Sequence, residues 1–351
     1  MAFLSIPNVA IRGIAACVPK NIEENLNLPV FKEGEAVRVI NQTGIERKRT
    51  VENGTTISDL CKEAFNCLID KLNWERESID VLVLVSSSAD YITPPTANVL
   101  QGLLDLSEEC IAFDIRQGCP GWVVGLSTVS SMISLGNLKR AVILCGDVST
   151  LLNSPIDKET RPLFGDAGTA TAIEYAVDAP VLQFQQGTRG KDFQAIMTPY
   201  GGLRNPVTEE ALKFVEYGSN QIRRGIDCRM DGMNVFSFGL SVAPKSVQSL
   251  CEYYDIDRES IDYYFFHQAN QYMNEKIRKK LKIDLSKVPY SLKNFGNTSG
   301  ASIPLTIVTQ CQEAFSTRKL NNIACAFGVG LAWGSVHFET NCIICPELIE
   351  H

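Results

Sequence analysis

Arg76-Glu77-Ser78-Ile79-Asp80 leads into the apolar run Val81-Leu82-Val83-Leu84-Val85, and 182 residues later the same five residues, Arg258-Glu259-Ser260-Ile261-Asp262, lead into Tyr263-Tyr264-Phe265-Phe266. Five residues can coincide by chance, so a second landmark on the same offset decides whether the chain is duplicated. Gly146 closes the run Ala141 to Cys145 and Gly328 closes Ile323 to Phe327, again 182 residues apart. Residues 1–175 and 176–351 are therefore read as two halves with the same order of strands and helices.

The apolar runs are short, bounded by turns and not alternating, as in strands covered on both faces. Longer helical stretches such as Ser58 to Leu72 and Met273 to Leu281 lie between them. Strands alternating with helices indicate an α/β protein with covered sheets. The duplication adds a pseudo-twofold arrangement, with equivalent sheets packed around shared central helices that start near Cys119 and Ala301. Gly121, Val123, Gly125, Leu126 and Val129 in one helix, and Ile303, Leu305, Ile307 and Val308 in the other, make both apolar on all sides, which is the pattern of a buried helix.

Composition narrows the function. The chain has 351 residues, 45% of them hydrophobic and 21% charged, which describes an ordinary globular protein. Its 33 Lys and Arg against 40 Asp and Glu, net charge -7, argue against a broad surface for nucleic acid or anionic membrane. The N-terminal Met-Ala-Phe-Leu-Ser-Ile-Pro has no basic region, and Arg12 interrupts the apolar run that follows, so no secretory signal is read. No window approaches the roughly 18 apolar residues of a membrane span. Twelve scattered Cys fit a reduced, cytoplasmic protein. The C-x-x-C of Cys342 and Cys345 lacks a second pair and reads as plain thiols rather than a metal site.

With three His in the chain, the search for a general base is short. His351 is terminal and His337 lies within the strand-like Val336-His337-Phe338. His267 ends the run Tyr263 to Phe266, where α/β sheets place reactive groups, although a satisfied core histidine also fits. Cys119 opens the first buried helix. A thiol there feels the positive end of the helix dipole and unpaired N–H groups, which predicts a lowered pKa, while an inert buried thiol is the alternative. Asn297 lies in the turn Phe295-Gly296-Asn297-Thr298-Ser299-Gly300 before the second buried helix, either approaching Cys119 from the other half or capping that helix. Ala326-Phe327-Gly328-Val329-Gly330 follows a buried strand and can aim backbone N–H groups at an oxyanion.

These pieces resemble the thiolase superfamily and, within it, β-ketoacyl-[acyl-carrier-protein] synthase III. The resemblance is carried by Thr43-Gly44-Ile45-Glu46-Arg47, Phe113-Asp114-Ile115 leading to Cys119, Phe164-Gly165-Asp166-Ala167-Gly168, His267-Gln268-Ala269-Asn270, Gly296-Asn297-Thr298-Ser299, and Phe327-Gly328-Val329-Gly330 leading to Trp333-Gly334-Ser335. They run in family order along nearly the whole chain. The resemblance implies a five-layered αβαβα fold, a homodimer, and catalysis by Cys119, His267 and Asn297. Cys119 would be acylated, and His267 and Asn297 would stabilise the enolate left when a malonyl thioester loses carbon dioxide. The backbone N–H groups of Cys119 and Val329 would hold the oxyanion of the condensation, and Thr93, Asn270, Phe327 and Gly328 would line the substrate path. The implied substrates are coenzyme A or acyl-carrier-protein thioesters, with no metal or prosthetic cofactor.

Departures from the family point to a specialised member. The Trp and Arg that sandwich the coenzyme A adenine in housekeeping members align with Arg38 and Lys158. Basic residues that dock carrier protein align with Ser237 and Tyr272, although Lys276, Arg278, Lys279, Lys280 and Lys282 leave a basic helix. The aromatic that a second protomer inserts into the acyl pocket in short-chain members aligns with Thr93, and the smaller residue suggests room for a longer or bulkier acyl group.

Rival readings are weaker. A papain-like protease matches the 148-residue gap between Cys119 and His267, but such enzymes place their Cys near the mature N-terminus and lack the repeat. A hydroxymethylglutaryl-coenzyme A synthase needs a Glu that Ser86-Ser87-Ser88-Ala89-Asp90 does not offer, and a biosynthetic thiolase needs a second Cys where Val329 stands. A degenerate partner subunit has no reason to keep all three catalytic residues. The serious alternative is an acyltransferase that passes the acyl group from Cys119 to oxygen or nitrogen without decarboxylation.

Overall fold

The structure is a computed structural model and describes residues 2–218 and 221–351. The strands of its two main sheets are β1 (Ala2–Ile6), β2 (Val9–Val18), β3 (Val81–Val85), β4 (Ile111–Ile115), β5 (Arg140–Asp147), β6 (Ala167–Tyr175), β7 (Leu182–Thr188), β8 (Tyr263–Phe266), β9 (Lys319–Gly328), β10 (Ala332–Asn341) and β11 (Ile349–Glu350). The six-stranded sheet has the order β11-β2-β6-β5-β3-β4 and the five-stranded sheet β1-β7-β10-β9-β8. Within them, β2-β6-β5-β3 and β7-β10-β9-β8 share one pattern, two antiparallel pairings followed by a parallel one. The duplication read from five residues is thus a duplication of topology.

The repeated pentapeptide has a structural job. Arg76–Ser78 and Arg258–Ser260 each form a single 3-10 turn. Asp80 Oδ2 then accepts the backbone N–H groups of Lys139 and Arg140, and Asp262 Oδ2 accepts that of Asn321 at 2.8 Å. Each Asp clips the turn to the start of the neighbouring parallel strand and satisfies N–H groups that the ladder leaves over.

The main helices are α1 (Ile57–Leu72), α2 (Thr96–Leu103), α3 (Gly121–Ile133), α4 (Gly232–Tyr254), α5 (Gln271–Leu281) and α6 (Ser302–Gln310). Capping sets where several begin: Thr56 and Asp59 form a capping box at α1, and Asp231 and Asn270 accept N–H groups of the first turns of α4 and α5. Trp122, Leu126 and Val129 of α3 and Ile303, Leu305 and Ile307 of α6 share one core with residues of both sheets, including Val83, Ile143, Phe184 and Phe338. A second core joins α1 and α2 to the other face of the six-stranded sheet, and a third joins α4 and α5 to the other face of the five-stranded sheet. The layers are therefore α, β, α, β, α, with the two buried helices in the middle.

The ends of the chain cross between the halves. The N-terminal β1 pairs with β7 in the second half's sheet, and the C-terminal β11 pairs with β2 in the first. No described helix is long and apolar enough to cross a membrane.

Candidate active site

The parallel strands β3, β5 and β8 and the hairpin after β9 all end near the N-termini of the two central helices. Cys119 lies between β4 and α3, with Pro120 as the residue preceding the first helical turn. The surrounding backbone comes unusually close. A Cβ placed on Gly328 would stand 2.6 Å from both Cβ and Sγ of Cys119, and one on Gly118 would stand 2.7 Å from Val329 Cγ1. Glycine at these two positions lets three backbone segments meet around one sulfur. Gln117 holds the far side, its amide Nε2 donating to the Val329 carbonyl at 3.1 Å.

The Cys119 thiol does not have the lowered pKa that its helical position predicts. Burial pushes it up to about 11, and the backbone N–H groups of Val329 and of Cys119 itself, which favour the thiolate, recover only part of that shift. Asp147 and Cys228 add further upward pressure. Removing a thiolate from water costs more than two N–H groups and one helix end return when no cation is at hand. The N–H groups on the sulfur are the two that the sequence reading assigns to an oxyanion.

His267 follows β8, its N–H donating to the Cys325 carbonyl at 2.9 Å. The residue is 2% exposed, its ring meets Phe327 edge to face at 5.9 Å, and its Nδ1 lies 2.8 Å from Ser302 Oγ at the start of α6. Burial lowers its pKa to about 4 despite a contact with the Ser299 backbone, so the imidazole is neutral at physiological pH.

Asn297 reaches the same place from the second half. Its backbone is fixed by the Leu163 carbonyl and the Gly165 N–H, and its Oδ1 accepts the Ser299 N–H at 3.0 Å. Ser299 is the shared piece: it touches the His267 ring, receives Asn297, and its Oγ would lie 3.4 Å from a Cβ on Gly118. Cys119, His267 and Asn297 are thereby gathered around Ser299, Gly118 and Gly328.

The remaining sequence candidates fall at different places. Phe327 is part of the wall behind His267. Asn270 spends its Oδ1 on the Met273 N–H as the cap of α5, which leaves only its amide NH2 for a ligand. Thr93 lies on the exposed loop before α2. Lys158 is paired with Glu35 at 2.6 Å, and Arg38 is exposed on the same short helix as Glu35. Tyr272 stacks on Phe236 beneath Lys276, while Arg278 is held by Glu275.

Residues that sequence reasoning passed over also shape the site. Ser299 and Ser302 hold the imidazole, Gln117 holds Val329, and Asp147, 1% exposed at the end of β5, lies behind the nucleophile. An acid closing an otherwise apolar strand was the available signal for Asp147. The serines stood in the Gly- and Ser-rich turn around Asn297, but nothing local gave them a role.

Comparison with known proteins places the whole chain in a family. The chain matches the family described as 3-Oxoacyl-[acyl-carrier-protein (ACP)] synthase III over residues 113–190 and the C-terminal part of the same family over residues 251–340. It is 31% identical over 330 residues to a Campylobacter jejuni protein assigned as 3-oxoacyl-[acyl-carrier-protein] synthase 3, covering 93% of this chain and 92% of that one. A Streptococcus agalactiae β-ketoacyl-[acyl-carrier-protein] synthase III is 28% identical over 93% of this chain and 97% of its own. The crystal structure of a 3-oxoacyl-(acyl-carrier protein) synthase from Burkholderia xenovorans LB400 superposes with a TM-score of 0.94 at 33% identity, covering 100% of this chain and 99% of that one. With a duplicated five-layered fold and a matching relative over almost its full length, the chain belongs to the 3-oxoacyl-[acyl-carrier-protein] synthase III family.

Proposed function

We propose that this enzyme transfers an acyl group from a thioester to Cys119 and then condenses it with the carbanion of a malonyl thioester, releasing carbon dioxide. The observation that carries the reading is a glycine-lined backbone pocket at the Cys119 sulfur, bordered at Gly118 by Ser299, the residue that touches both a neutral His267 and a buried Asn297. Splitting carbon–carbon bond formation into acylation and condensation is covalent catalysis and predicts ping-pong kinetics.

The residues divide the work by charge. A thiol with a pKa near 11 is not a resting thiolate, so its proton leaves as the acyl carbonyl is attacked. With Nδ1 of His267 engaged by Ser302, Nε2 is the nitrogen left to receive it and to pass it to the departing thiolate, which leaves as the free thiol. The tetrahedral oxyanion is held by the N–H groups of Cys119 and Val329, directed dipoles around a partly buried sulfur. In the second half-reaction neutral His267, now carrying its proton on Nε2 with Nδ1 accepting from the Ser302 hydroxyl, and the Asn297 side-chain amide donate to the malonyl thioester oxygen, stabilising the enolate. No step requires a metal or prosthetic group; the substrates carry their own thioesters on coenzyme A or carrier-protein phosphopantetheine.

Substrate and assembly follow from the surroundings. Lys158 is paired with Glu35, and exposed Arg38 is not an aromatic that could stack on adenine, which favours an acyl carrier protein or an unusual primer over simple coenzyme A stacking. The exposed basic residues of α5, Lys276, Lys279 and Lys280, offer a surface for an acidic carrier protein. One edge of the six-stranded sheet is β4, whose Ile111 is 44% exposed, and Leu103, Tyr91 and Ile92 are exposed on the segments that precede it in the chain. An apolar open edge of this kind fits pairing with a second copy, giving a homodimer in which Thr93 of one protomer approaches the acyl pocket of the other. In this reading residues 1–175 supply the nucleophile and 176–351 the two donors, one functional half each.

Purified protein incubated with a panel of acyl-coenzyme A and acyl-carrier-protein thioesters should gain one acyl mass that Cys119→Ala does not. Adding malonyl thioester should then release carbon dioxide and a 3-oxoacyl product. An acyl enzyme that passes its group to an oxygen or nitrogen nucleophile without carbon dioxide release would overturn the condensing reading.

A further inference from the structure

Asp147 is the acid the mechanism leaves unused. It closes β5, is 1% exposed, and gathers four donors on one oxygen: Oδ1 accepts Ser86 Oγ at 2.9 Å, Ser87 N–H at 2.7 Å, Ser88 N–H at 3.0 Å and Ser88 Oγ at 3.0 Å. Ser88 Oγ also accepts the Val148 N–H at 3.0 Å, so the turn after β3 is tied to the end of β5 at two points. The other oxygen, Oδ2, is buried without an aligned donor among the described residues, and the Ser299 hydroxyl sits beside the carboxylate. Burial raises the pKa of Asp147 and these donors oppose the rise.

The two sides of Asp147 meet at the nucleophile's backbone. A Cβ on Gly118 would lie 3.0 Å from Ser87 Oγ and 3.4 Å from Ser299 Oγ, so the serines tied to or touching Asp147 flank the residue before Cys119. Ser299 in turn is the residue whose N–H holds Asn297 Oδ1. One carboxylate is therefore hydrogen-bonded to a turn of the first half and lies beside the hydroxyl of a turn of the second. A buried carboxylate is expensive to keep unless its donors are organised, so a plain packing role is better served by an apolar residue.

We infer that Asp147 is a positioning residue for the decarboxylating half-reaction, clasping the Ser86–Ser88 turn and the Ser299 turn so that Asn297 is held at the distance the enolate requires. The inference rests on the condensing function proposed above. It does not touch substrate itself; it acts through Ser299 on Asn297. Loss of the clasp lets the Asn297 amide drift, and displacement of a donor by about 1 Å costs on the order of 10²-fold in rate. Acylation depends on Cys119 and the Val329 N–H, which Gly328 and Gln117 also hold from the far side, and is affected less.

The test separates the two half-reactions in wild type, Asp147→Ala and Asp147→Asn. Acylation is read as mass gain on Cys119 from the accepted primer, and condensation as carbon dioxide release when the acylated protein meets malonyl-coenzyme A or malonyl carrier protein. Asp147→Ala should lose about 30-fold or more in carbon dioxide release with less than about fivefold in acylation, and Asp147→Asn, which keeps an acceptor oxygen, should recover most of the loss. Equal loss in both half-reactions, loss in neither, or no recovery with Asn would overturn the role of Asp147. Should Asp147→Ala fail to fold, Ser299→Ala carries the same prediction: condensation falls and acylation persists, and equal effects on both overturn it. A wild-type protein that acylates but releases no carbon dioxide sinks the condensing function instead, an outcome distinct from an active wild type matched by an equally active Asp147→Ala.

Discussion

Gly328 faces Cys119 so closely that a β-carbon on the glycine would sit 2.6 Å from the Cys119 sulfur. The relationship joins the end of β9 to a residue two positions before α3, across 209 positions of chain. It brings the next residue's N–H, that of Val329, onto the sulfur. Gly328→Ala should therefore fold but place a methyl where the acyl carbonyl belongs. Acylation of Cys119 followed by intact mass should slow by about 100-fold or more. An Ala variant that acylates at the wild-type rate would show that the backbone yields there.

Gly118 and Val329 form a second tight pair, with 2.7 Å between an added Cβ and Val329 Cγ1. Overpacking of this kind costs about 1–3 kcal/mol. Gly118→Ala should lower the thermal midpoint and slow acylation, Val329→Gly should leave the fold intact, and the double variant should regain stability lost by Gly118→Ala. Additive losses in the double variant would refute the coupling, because neighbours that clash are expected to depart from additivity.

The elevated thiol pKa makes a direct prediction. With Cys119 pushed up to about 11, its alkylation by iodoacetamide should climb roughly tenfold per pH unit from pH 6 to pH 10, without a plateau near neutrality. A plateau between pH 6 and 8 would reveal a resting thiolate and restore the helix-terminus expectation.

His267 sets the acid limit. Its folded pKa near 4 lies below the 6.5 of an unperturbed imidazole, so between those values the unfolded chain binds more protons than the folded one. Stability contributed by this group is complete above about pH 6.5 and declines as pH falls toward 4, by about 3 kcal/mol at the full extent of the shift. Urea midpoints at pH 7 and pH 5 should differ less in His267→Asn than in wild type. In the same range the rate of carbon dioxide release should hold steady down to about pH 5; a fall centred on pH 6.5 would mean the imidazole titrates normally.

The open edge at β4 yields a solution prediction. Ile111→Lys places a charge on the exposed apolar strand and should shift the protein from dimer toward monomer in light scattering, with carbon dioxide release falling in parallel if the second copy completes the acyl pocket. A wild-type monomer at micromolar concentration would remove the interface altogether.

Much of the fold was legible because its determinants are local. Unbroken apolar runs marked β3, β5, β8 and β9 within one or two residues at most ends, and all-round apolarity marked α3 and α6 as buried. The pentapeptide repeat was legible for a physical reason now visible: in each half an Asp must close a 3-10 turn onto the next strand, so the same residues recur. The crossed terminal strands were not legible. Their short sequences carry no record of which sheet edge will accept them.

The sequence by itself determined the duplicated α/β architecture and the candidates Cys119, His267 and Asn297, since these follow from periodicity, from glycine and asparagine in turns, and from which polar residues end buried strands. Only the tertiary structure decided the state of those groups. The Cys119 pKa, lowered by the helix terminus alone, is raised by the enclosure that β5, β9 and the Ser299 turn build around it, and Asp147, Ser299 and Gln117 become part of the site only once segments more than 100 residues apart are in contact. Desolvation and hydrogen bonding are sums over everything within a few ångströms, and neighbours in space are not neighbours in sequence.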